Sequence, residues 1–149
     1  GYNYRMTNMQ AALGVAQLEN IDKIEDKKRW IGKTYNELLK DISAINLPLK
    51  STSYCENIYW VYTIVIKNDQ KKNARDIMNK LKKYKVGSRP FFYPMHKQPV
   101  FNKMGLFLED KLKNSETIYE KGFYIPSGLA LTSDQAIDVS NALHELFVE

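Results

Sequence analysis

The sequence predicts an α+β domain in which a long N-terminal helix precedes a small antiparallel sheet with helices packed on it. Three features support this fold class: an amphipathic stripe in the first third of the chain, an aromatic and β-branched run at 58–66, and a helix signal at Thr132. The 149 residues, 44% apolar and 26% charged, are enough for one domain with one hydrophobic core.

A capping-box pattern, Thr7 followed by Gln10, marks the start of the first helix. Apolar residues then recur at steps of three and four, which predicts one long amphipathic helix or two nearly collinear ones ending before Leu47-Pro48. The stripe consists of Ala12, Ala16, Ile21, Ile24, Ile31, Tyr35, Leu38 and Ile42. Because so long a helix should pack on something beyond its own domain, we expect an interface helix within residues 1–46 and a sheet domain at 55–149.

Shorter elements follow along the rest of the chain. In order, they are a strand at 58–66, a helix at 74–84 with Ile77, Met78 and Leu81 inward, a strand at 86–92, a loop at 94–105, a helix at 115–121 and a strand at 123–125. A second capping box, Thr132 with Gln135, opens the final helix. Its expected inward residues are Ile137, Val139, Ala142, Leu143 and Leu146.

Composition argues against several classes of protein. The single cysteine, Cys55, has no partner for a disulfide and none at metal-ligand spacing. This indicates a reducing, cytoplasmic setting, no metal site, and an ordinary half-buried thiol at a strand entrance. No apolar run is long enough to cross a bilayer, so we expect no membrane partner.

The formal charge of +5 raises the alternative of nucleic-acid binding. The lysines are interspersed with acids, however, as in the run from Asp22 to Arg29, and only Lys80 to Lys85 forms a dense cluster. That cluster alternates with Leu81 and Tyr84, which is typical of a solvated helix end whose cations suit the helix dipole. Nucleic acid is therefore the least favoured partner.

Residues 1–7, Gly-Tyr-Asn-Tyr-Arg-Met-Thr, place an amide and a guanidinium directly before a helix N-terminus. The free N–H groups and the positive dipole end of such a terminus favour a phosphate or a carboxylate. Asn3 and Arg5 can add donors to the same anion. The alternative, which spacing alone favours, is that Asn3 turns the chain and Arg5 pairs with a surface acid.

Residues 89–99 carry prolines at 90, 94 and 99, with Phe91, Phe92, Tyr93 and the polar side chains of Arg89 and His96 between or beside them. A backbone stiffened in this way, with projecting aromatic rings and a few polar tips, suits the wall of a sugar or nucleotide pocket. The alternative is that His96 is structural or simply exposed.

Together these stretches resemble a known family. Residues 1–18 closely resemble the motif GYNYRMT…QAALGxAQL of the DegT/DnrJ/EryC1/StrS family of nucleotide-sugar aminotransferases. Residues 89–99 and the run 125–132, Ile-Pro-Ser-Gly-Leu-Ala-Leu-Thr, recur in the same order in that family. The first two stretches are most similar to its perosamine-synthase branch. Three ordered motifs that cover essentially the whole chain make the resemblance specific.

The resemblance implies the C-terminal small domain of a fold type I enzyme that depends on pyridoxal 5'-phosphate (PLP). It implies a homodimer with active sites at the subunit interface. The reaction that it implies moves an amino group from glutamate to a nucleotide-diphosphate keto-sugar, a 4-keto-6-deoxy sugar used for cell-surface polysaccharide or glycoprotein glycans. PLP supplies the electron sink for this reaction, and the protein positions it.

Carried over residue by residue, the resemblance assigns Asn3, with Arg5 second, to the cofactor phosphate of the partner subunit. It assigns Arg89, Tyr93 and His96 to the sugar-nucleotide pocket. In the family, the Schiff-base lysine and the residues that contact the cofactor ring precede the first motif. We therefore expect a C-terminal portion that lacks the N-terminal cofactor domain, has no catalytic residue and is inactive alone. The alternative is a non-catalytic regulatory or sugar-nucleotide-binding module.

Overall fold

The computed structural model describes residues 1–148, with the side chains of residues 1–147. Within that range the elements are α1 (Asn8–Leu18), α2 (Ile21–Leu39), β1 (Ile45–Asn46), β2 (Tyr62–Ile66), α3 (Ala74–Leu81), β3 (Arg89–Pro90), α4 (Pro99–Lys103), α5 (Lys113–Lys121), β4 (Gly122–Ile125) and α6 (Ser133–Val148). Single turns of 3-10 helix lie at Lys82–Tyr84 and Met95–Lys97. Over these residues, no helix combines the length and the apolar character needed to cross a membrane.

The four strands form one antiparallel sheet in the order β1-β2-β4-β3. The two central strands, β2 and β4, are paired so that Tyr62 faces Ile125 and Ile64 faces Phe123. All four of these side chains are buried. Because alternate residues of a strand point to opposite faces, this register places the buried residues of both strands on one face.

The hydrophobic core combines buried residues of α2, α3 and α6 with that face of the sheet, and α6 contacts both α2 and α3. Its largest fully buried side chains are Tyr35, Tyr62, Phe123, Ile31, Leu39, Ile64, Ile66, Ile77, Leu81 and Leu143. Apolar burial of this kind is the main favourable term in folding. The predicted α+β fold with a small antiparallel sheet and packed helices is therefore confirmed.

The predicted first helix is divided at Glu19 and Asn20 into α1 and α2. The predicted capping box is present: Thr7 N donates to Gln10 Oε1 at 2.9 Å, and Gln10 N donates to Thr7 Oγ1 at 3.3 Å. At the division, Asn20 Nδ2 donates to the Ala16 carbonyl at 3.0 Å and takes the place of a backbone amide. The chain therefore follows the two-helix alternative.

The apolar stripe of the two helices is buried only in its second half. Ile31, Tyr35 and Ile42 are buried, whereas α1 buries none of its side chains within the described residues, and Ala12 and Ala16 are exposed. The expectation that the first helix packs on something beyond this domain therefore concerns α1.

Both predicted long strands are shorter in the structure. The strand predicted at 58–66 begins at Tyr62, because Tyr59 has a left-handed backbone with φ 52°. The Tyr59 N–H donates to Asn57 Oδ1 at 2.7 Å, and its hydroxyl accepts from Asn36 Nδ2 at 3.0 Å. The strand predicted at 86–92 contains only β3, since proline cannot donate to a strand ladder.

Three further predictions were wrong in detail, and one strand was missed. The strand β1 was not predicted, since two residues are too few to show a pattern. The loop predicted at 94–105 contains a 3-10 turn and α4, which starts at Pro99, a residue suited to the first helical position. Ile137 is exposed, whereas the other four inward residues predicted for α6 are buried. Cys55 is exposed rather than half-buried and lies 3.1 Å from Thr52 Oγ1.

A glycine in α2 tests the packing of the core. A Cβ at Gly32 would overlap the ring of Tyr59. We predict that Gly32→Ala lowers the free energy of unfolding by about 1–3 kcal/mol, because overpacking outweighs the gain in helix propensity. Gly14→Ala, where a Cβ meets nothing within 4 Å, is the matched control and should raise it by up to about 1 kcal/mol. Urea denaturation measures both, and a stabilised Gly32→Ala variant would show that the two groups do not touch.

Candidate functional site

The N-terminal segment before α1 is exposed and carries two predicted site residues. Asn3 Oδ1 accepts a hydrogen bond from the Arg5 backbone N–H at 3.1 Å, an arrangement in which asparagine turns the chain. The Asn3 carboxamide nitrogen and the Arg5 guanidinium form no hydrogen bond or ion pair within residues 1–148. The alternative interpretation was that Asn3 turns the chain and Arg5 pairs with a surface acid. The turn at Asn3 is present, but Arg5 forms no ion pair with an acid among the described residues.

The N-terminus of α1 adds backbone donors to this segment. Its capping box satisfies the N–H groups of Thr7 and Gln10, and the Ala11 N–H donates to the Thr7 carbonyl at 2.9 Å. The amides of Asn8 and Met9 have no hydrogen-bond partner in the described part of the chain. Two free amides at the positive end of a helix dipole are a favourable environment for an anion.

The second motif, residues 89–99, forms a stiff loop, here called the aromatic loop. Its aromatic rings pack against rings of β4 and α5. Phe91 and Phe92 contact the ring of Tyr124 on β4, with centroids 4.8 Å and 6.3 Å apart. Tyr93 meets Tyr119 of α5 edge to face, with centroids 5.0 Å apart. Gly122 lies where a Cβ would overlap the Phe91 ring, so β4 and the loop approach each other closely.

His96 is the most buried polar residue of this loop, with only 5% of its surface exposed. Its Nε2 lies 3.0 Å from Glu116 Oε1, and Lys97 Nζ donates to Glu116 Oε2 at 2.6 Å. The His96 carbonyl accepts from Asn102 Nδ2 at 3.1 Å. The loop is thus held by one carboxylate of α5 and one carboxamide of α4.

Sequence reasoning missed Glu116. It lies 20 residues after His96, and no spacing rule connects the two. A weak signal was present, since Glu116 lies in the first turn of α5, where an acid suits the helix dipole. Hydrogen bonds from Lys97 and then His96 hold the pKa of the Glu116 carboxyl below its usual range. The same carboxylate raises the pKa of Lys97.

A groove of about 740 Å³ opens at the end of the sheet where β2 begins and β4 ends. Arg89, Trp60 and Phe92 line it, and the two aromatic side chains are 67% and 76% exposed. Arg89 is therefore placed beside two exposed rings. Tyr93 and His96 lie outside this lining, on the side of the loop that faces α5.

Lys28 of α2 connects two walls of the groove. Its Nζ donates to the carbonyls of Trp60 at 2.8 Å and Ser127 at 2.6 Å. Ser127 Oγ in turn accepts from the Tyr62 backbone N–H at 3.1 Å. Sequence reasoning missed Lys28 and Trp60, because the hydrogen bonds of Lys28 reach residues 32 and 99 positions further along the chain and no local pattern indicates them.

The structure thus distributes the five predicted residues over three places. Asn3 and Arg5 lie in the exposed N-terminal segment, Arg89 in the groove, and Tyr93 and His96 against α5. None of these places is a metal centre, since residues 1–148 contain no group of three or more metal-ligating side chains. The described residues offer donors for anions, aromatic rings and a buried imidazole.

Comparison with known proteins identifies the class to which this arrangement belongs. Residues 1–144 match the DegT/DnrJ/EryC1/StrS aminotransferase family, and the chain belongs to that family. It is 34% identical to the GDP-perosamine synthase of Vibrio cholerae over 149 residues and 30% identical to that of Escherichia coli O157:H7 over 147 residues. The alignments cover 98% and 99% of this chain but only 39% and 38% of those relatives.

Solved structures show the same fold. The Helicobacter pylori aminotransferase PseC, involved in the biosynthesis of pseudoaminic acid, matches 99% of this chain with a TM-score of 0.87 and 20% identity. S. venezuelae DesV, solved with a ketimine intermediate, matches 100% with the same TM-score and identity. This chain covers 39% and 38% of those two chains. Both matches support the fold predicted from the sequence.

The lowered pKa of Glu116 predicts a pH-dependent contribution to stability. Because this pKa lies below its value in the unfolded chain, the ionised carboxylate stabilises the fold above about pH 4.5, and the contribution is lost as the pH falls through the folded value. Denaturation of the wild type and Glu116→Gln between about pH 7 and pH 3 measures it. We expect the difference in stability to narrow on acidification. A difference that widens would contradict the hydrogen bonds that Lys97 and His96 make to the Glu116 carboxylate.

Proposed function

We propose that the protein containing this chain is a PLP-dependent aminotransferase that moves an amino group from glutamate to a nucleotide-linked 4-keto-6-deoxy sugar. Family membership over residues 1–144 and the similarity to GDP-perosamine synthases support this proposal. The observation that carries it is the first motif, in which the Asn3 carboxamide nitrogen, the Arg5 guanidinium and two backbone N–H groups at the start of α1 are unpaired within residues 1–148. Such donors indicate an anionic group that comes from elsewhere.

The donor set of this segment fits the phosphate of PLP. The Arg5 guanidinium supplies a positive charge and a fork of donors. The oxygen of the Asn3 carboxamide accepts from the Arg5 backbone N–H, and its N–H₂ group remains available as a donor. In this proposal the two residues bind the cofactor phosphate of the partner subunit. PLP itself supplies the electron sink for amino-group transfer. No lysine of this chain forms the Schiff base, so the chain alone does not transaminate.

The exposed apolar side chains of α1 support a homodimer. Met9 and Leu13, four residues apart and therefore on one face of α1, are 80% and 70% exposed, and the aromatic rings of Tyr2 and Tyr4 precede them. Contiguous exposed apolar surface marks an interaction site in soluble proteins. We propose that this face of α1 packs against the partner subunit, which places Asn3 and Arg5 at the subunit interface.

In this proposal the aromatic loop and the groove bind the nucleotide-sugar substrate. Arg89 binds the nucleotide diphosphate, since its guanidinium suits phosphate oxygens and has no ion-pair partner among the described residues. Tyr93 and His96 contribute contacts to the sugar. The product serves cell-surface polysaccharide or glycoprotein glycans, and the enzyme works in the cytoplasm, consistent with its single, unbridged cysteine in this chain.

Activity of the complete protein tests this function. We expect formation of an amino sugar and 2-oxoglutarate when the protein is supplied with PLP, glutamate and a GDP-linked 4-keto-6-deoxy hexose. UDP- and dTDP-linked sugars in the same assay identify the nucleotide. The alternative, a non-catalytic regulatory or sugar-nucleotide-binding module, predicts binding of the nucleotide sugar without turnover. Product analysis by mass spectrometry separates the two.

The cofactor assignment is tested by removing both donors. We predict that Asn3→Ala combined with Arg5→Ala in the complete protein weakens PLP binding about tenfold or more, because hydrogen bonds to a charged phosphate are lost. Absorbance titration of the apoenzyme measures the affinity. The control pair Asn141→Ala and Arg75→Ala removes the same residue types at other exposed positions and should leave the affinity unchanged. Equal affinity of both double variants would remove Asn3 and Arg5 from the cofactor site.

A further inference from the structure

The imidazole of His96 has two nitrogens in different environments. Nε2 faces Glu116 Oε1 at 3.0 Å, inside a site where the histidine side chain is only 4% exposed. An ionised carboxylate can only accept hydrogen bonds, so Nε2 carries the hydrogen and donates it. The hydrogen bond made by one ring nitrogen sets the state of the other, so Nδ1 of the neutral ring is an acceptor.

The second nitrogen is available to a ligand. Nδ1 of His96 forms no hydrogen bond within residues 1–148. No buried side-chain nitrogen or oxygen in the described part of the chain lacks a partner, so Nδ1 reaches the surface. A surface acceptor on an otherwise buried ring is suited to a single hydroxyl donor. The other polar atom of the residue, its carbonyl, is already bonded to Asn102.

We propose that Glu116 is a positioning residue that fixes the tautomer of His96, so that Nδ1 accepts a hydrogen bond from a hydroxyl of the sugar. The proposal rests on the proposed function in that the ligand is the nucleotide-linked sugar. Glu116 acts through His96 and does not touch the ligand. Its second oxygen, bonded to Lys97 Nζ at 2.6 Å, holds the carboxylate in the orientation that His96 requires.

The surroundings of α5 support this role. Tyr119, one turn after Glu116, supports the ring of Tyr93 with centroids 5.0 Å apart. The same helix therefore orients both loop residues that the proposed function assigns to the sugar. The lowered pKa of Glu116 keeps its carboxylate ionised at neutral pH, as an acceptor for Nε2–H must be. Glu120, one turn further along, forms no hydrogen bond with His96, so Glu116 is the carboxylate partner of His96 within residues 1–148.

The tautomer can be measured without any ligand. Long-range ¹H–¹⁵N correlation spectra of the complete protein at about pH 8 should show His96 protonated at Nε2. The chain contains one other histidine, His144, and His96→Gln assigns the signals. In Glu116→Ala the two tautomers should mix. A wild-type ring protonated at Nδ1 would overturn the proposal.

The effect on the ligand is measured in the complete enzyme. We expect Glu116→Ala to raise KM for the nucleotide sugar about three- to tenfold, the size of one hydrogen bond, with kcat within about twofold of wild type. Glu116→Gln should keep most of the affinity, because its carbonyl still accepts from Nε2–H. Glu120→Ala, an exposed acid one turn away, is the matched control and should leave KM unchanged.

The outcomes separate this inference from the function on which it rests. Unchanged KM in Glu116→Ala, or an equal loss in Glu116→Gln, would overturn the positioning role while the aminotransferase function stands. A wild-type enzyme that binds no nucleotide sugar would contradict the proposed function, and the tautomer measurement would still report on Glu116 and His96. Thermal denaturation of each variant confirms that it is folded at the assay temperature.

Discussion

The pairing of β2 with β4 is the constraint on which the rest of the structure depends. It joins residues 62–65 to residues 122–125 and buries Ile64 against Phe123 at the centre of the core. Because the strands are antiparallel, the start of β2 and the end of β4 meet at one end of the sheet, where the groove opens. Helix α5 directly precedes β4 in the sequence. The pairing of β4 with β2 therefore also places Glu116 of α5 beside the aromatic loop.

Much of this fold is encoded locally and could therefore be predicted. A capping box needs only two residues three positions apart, and both predicted boxes are present, at Thr7 and at Thr132. The centre of β2 follows from its β-branched run. Strand ends are less local: the backbone of Tyr59 turns left-handed because its ring packs on Gly32 and its hydroxyl is bonded to Asn36. Tertiary contacts override the propensity of the residues themselves there.

The candidate site shows the same division. The motifs predicted five candidate residues, since each belongs to a run of unusual composition: Asn3, Arg5, Arg89, Tyr93 and His96. Glu116 and Lys28 belong to ordinary charged helix faces, and their importance arises only from distant partners. The described residues also supply different shares of the contacts that the two motifs need. The aromatic loop is fully supported by α4, α5 and β4, whereas the first motif presents donors without acceptors within residues 1–148.

The contact between Gly32 and Tyr59 has a consequence for how relatives of this protein diverge. A methyl group at position 32 and a full aromatic ring at position 59 cannot occupy the same space. Substitutions at the two positions are therefore coupled: a larger residue at 32 requires a smaller one at 59, and with it a different conformation for the residues that lead into β2. In an alignment, positions 32 and 59 should therefore vary together. Trp60 follows Tyr59 directly and lines the groove, so its position and contacts should change with them.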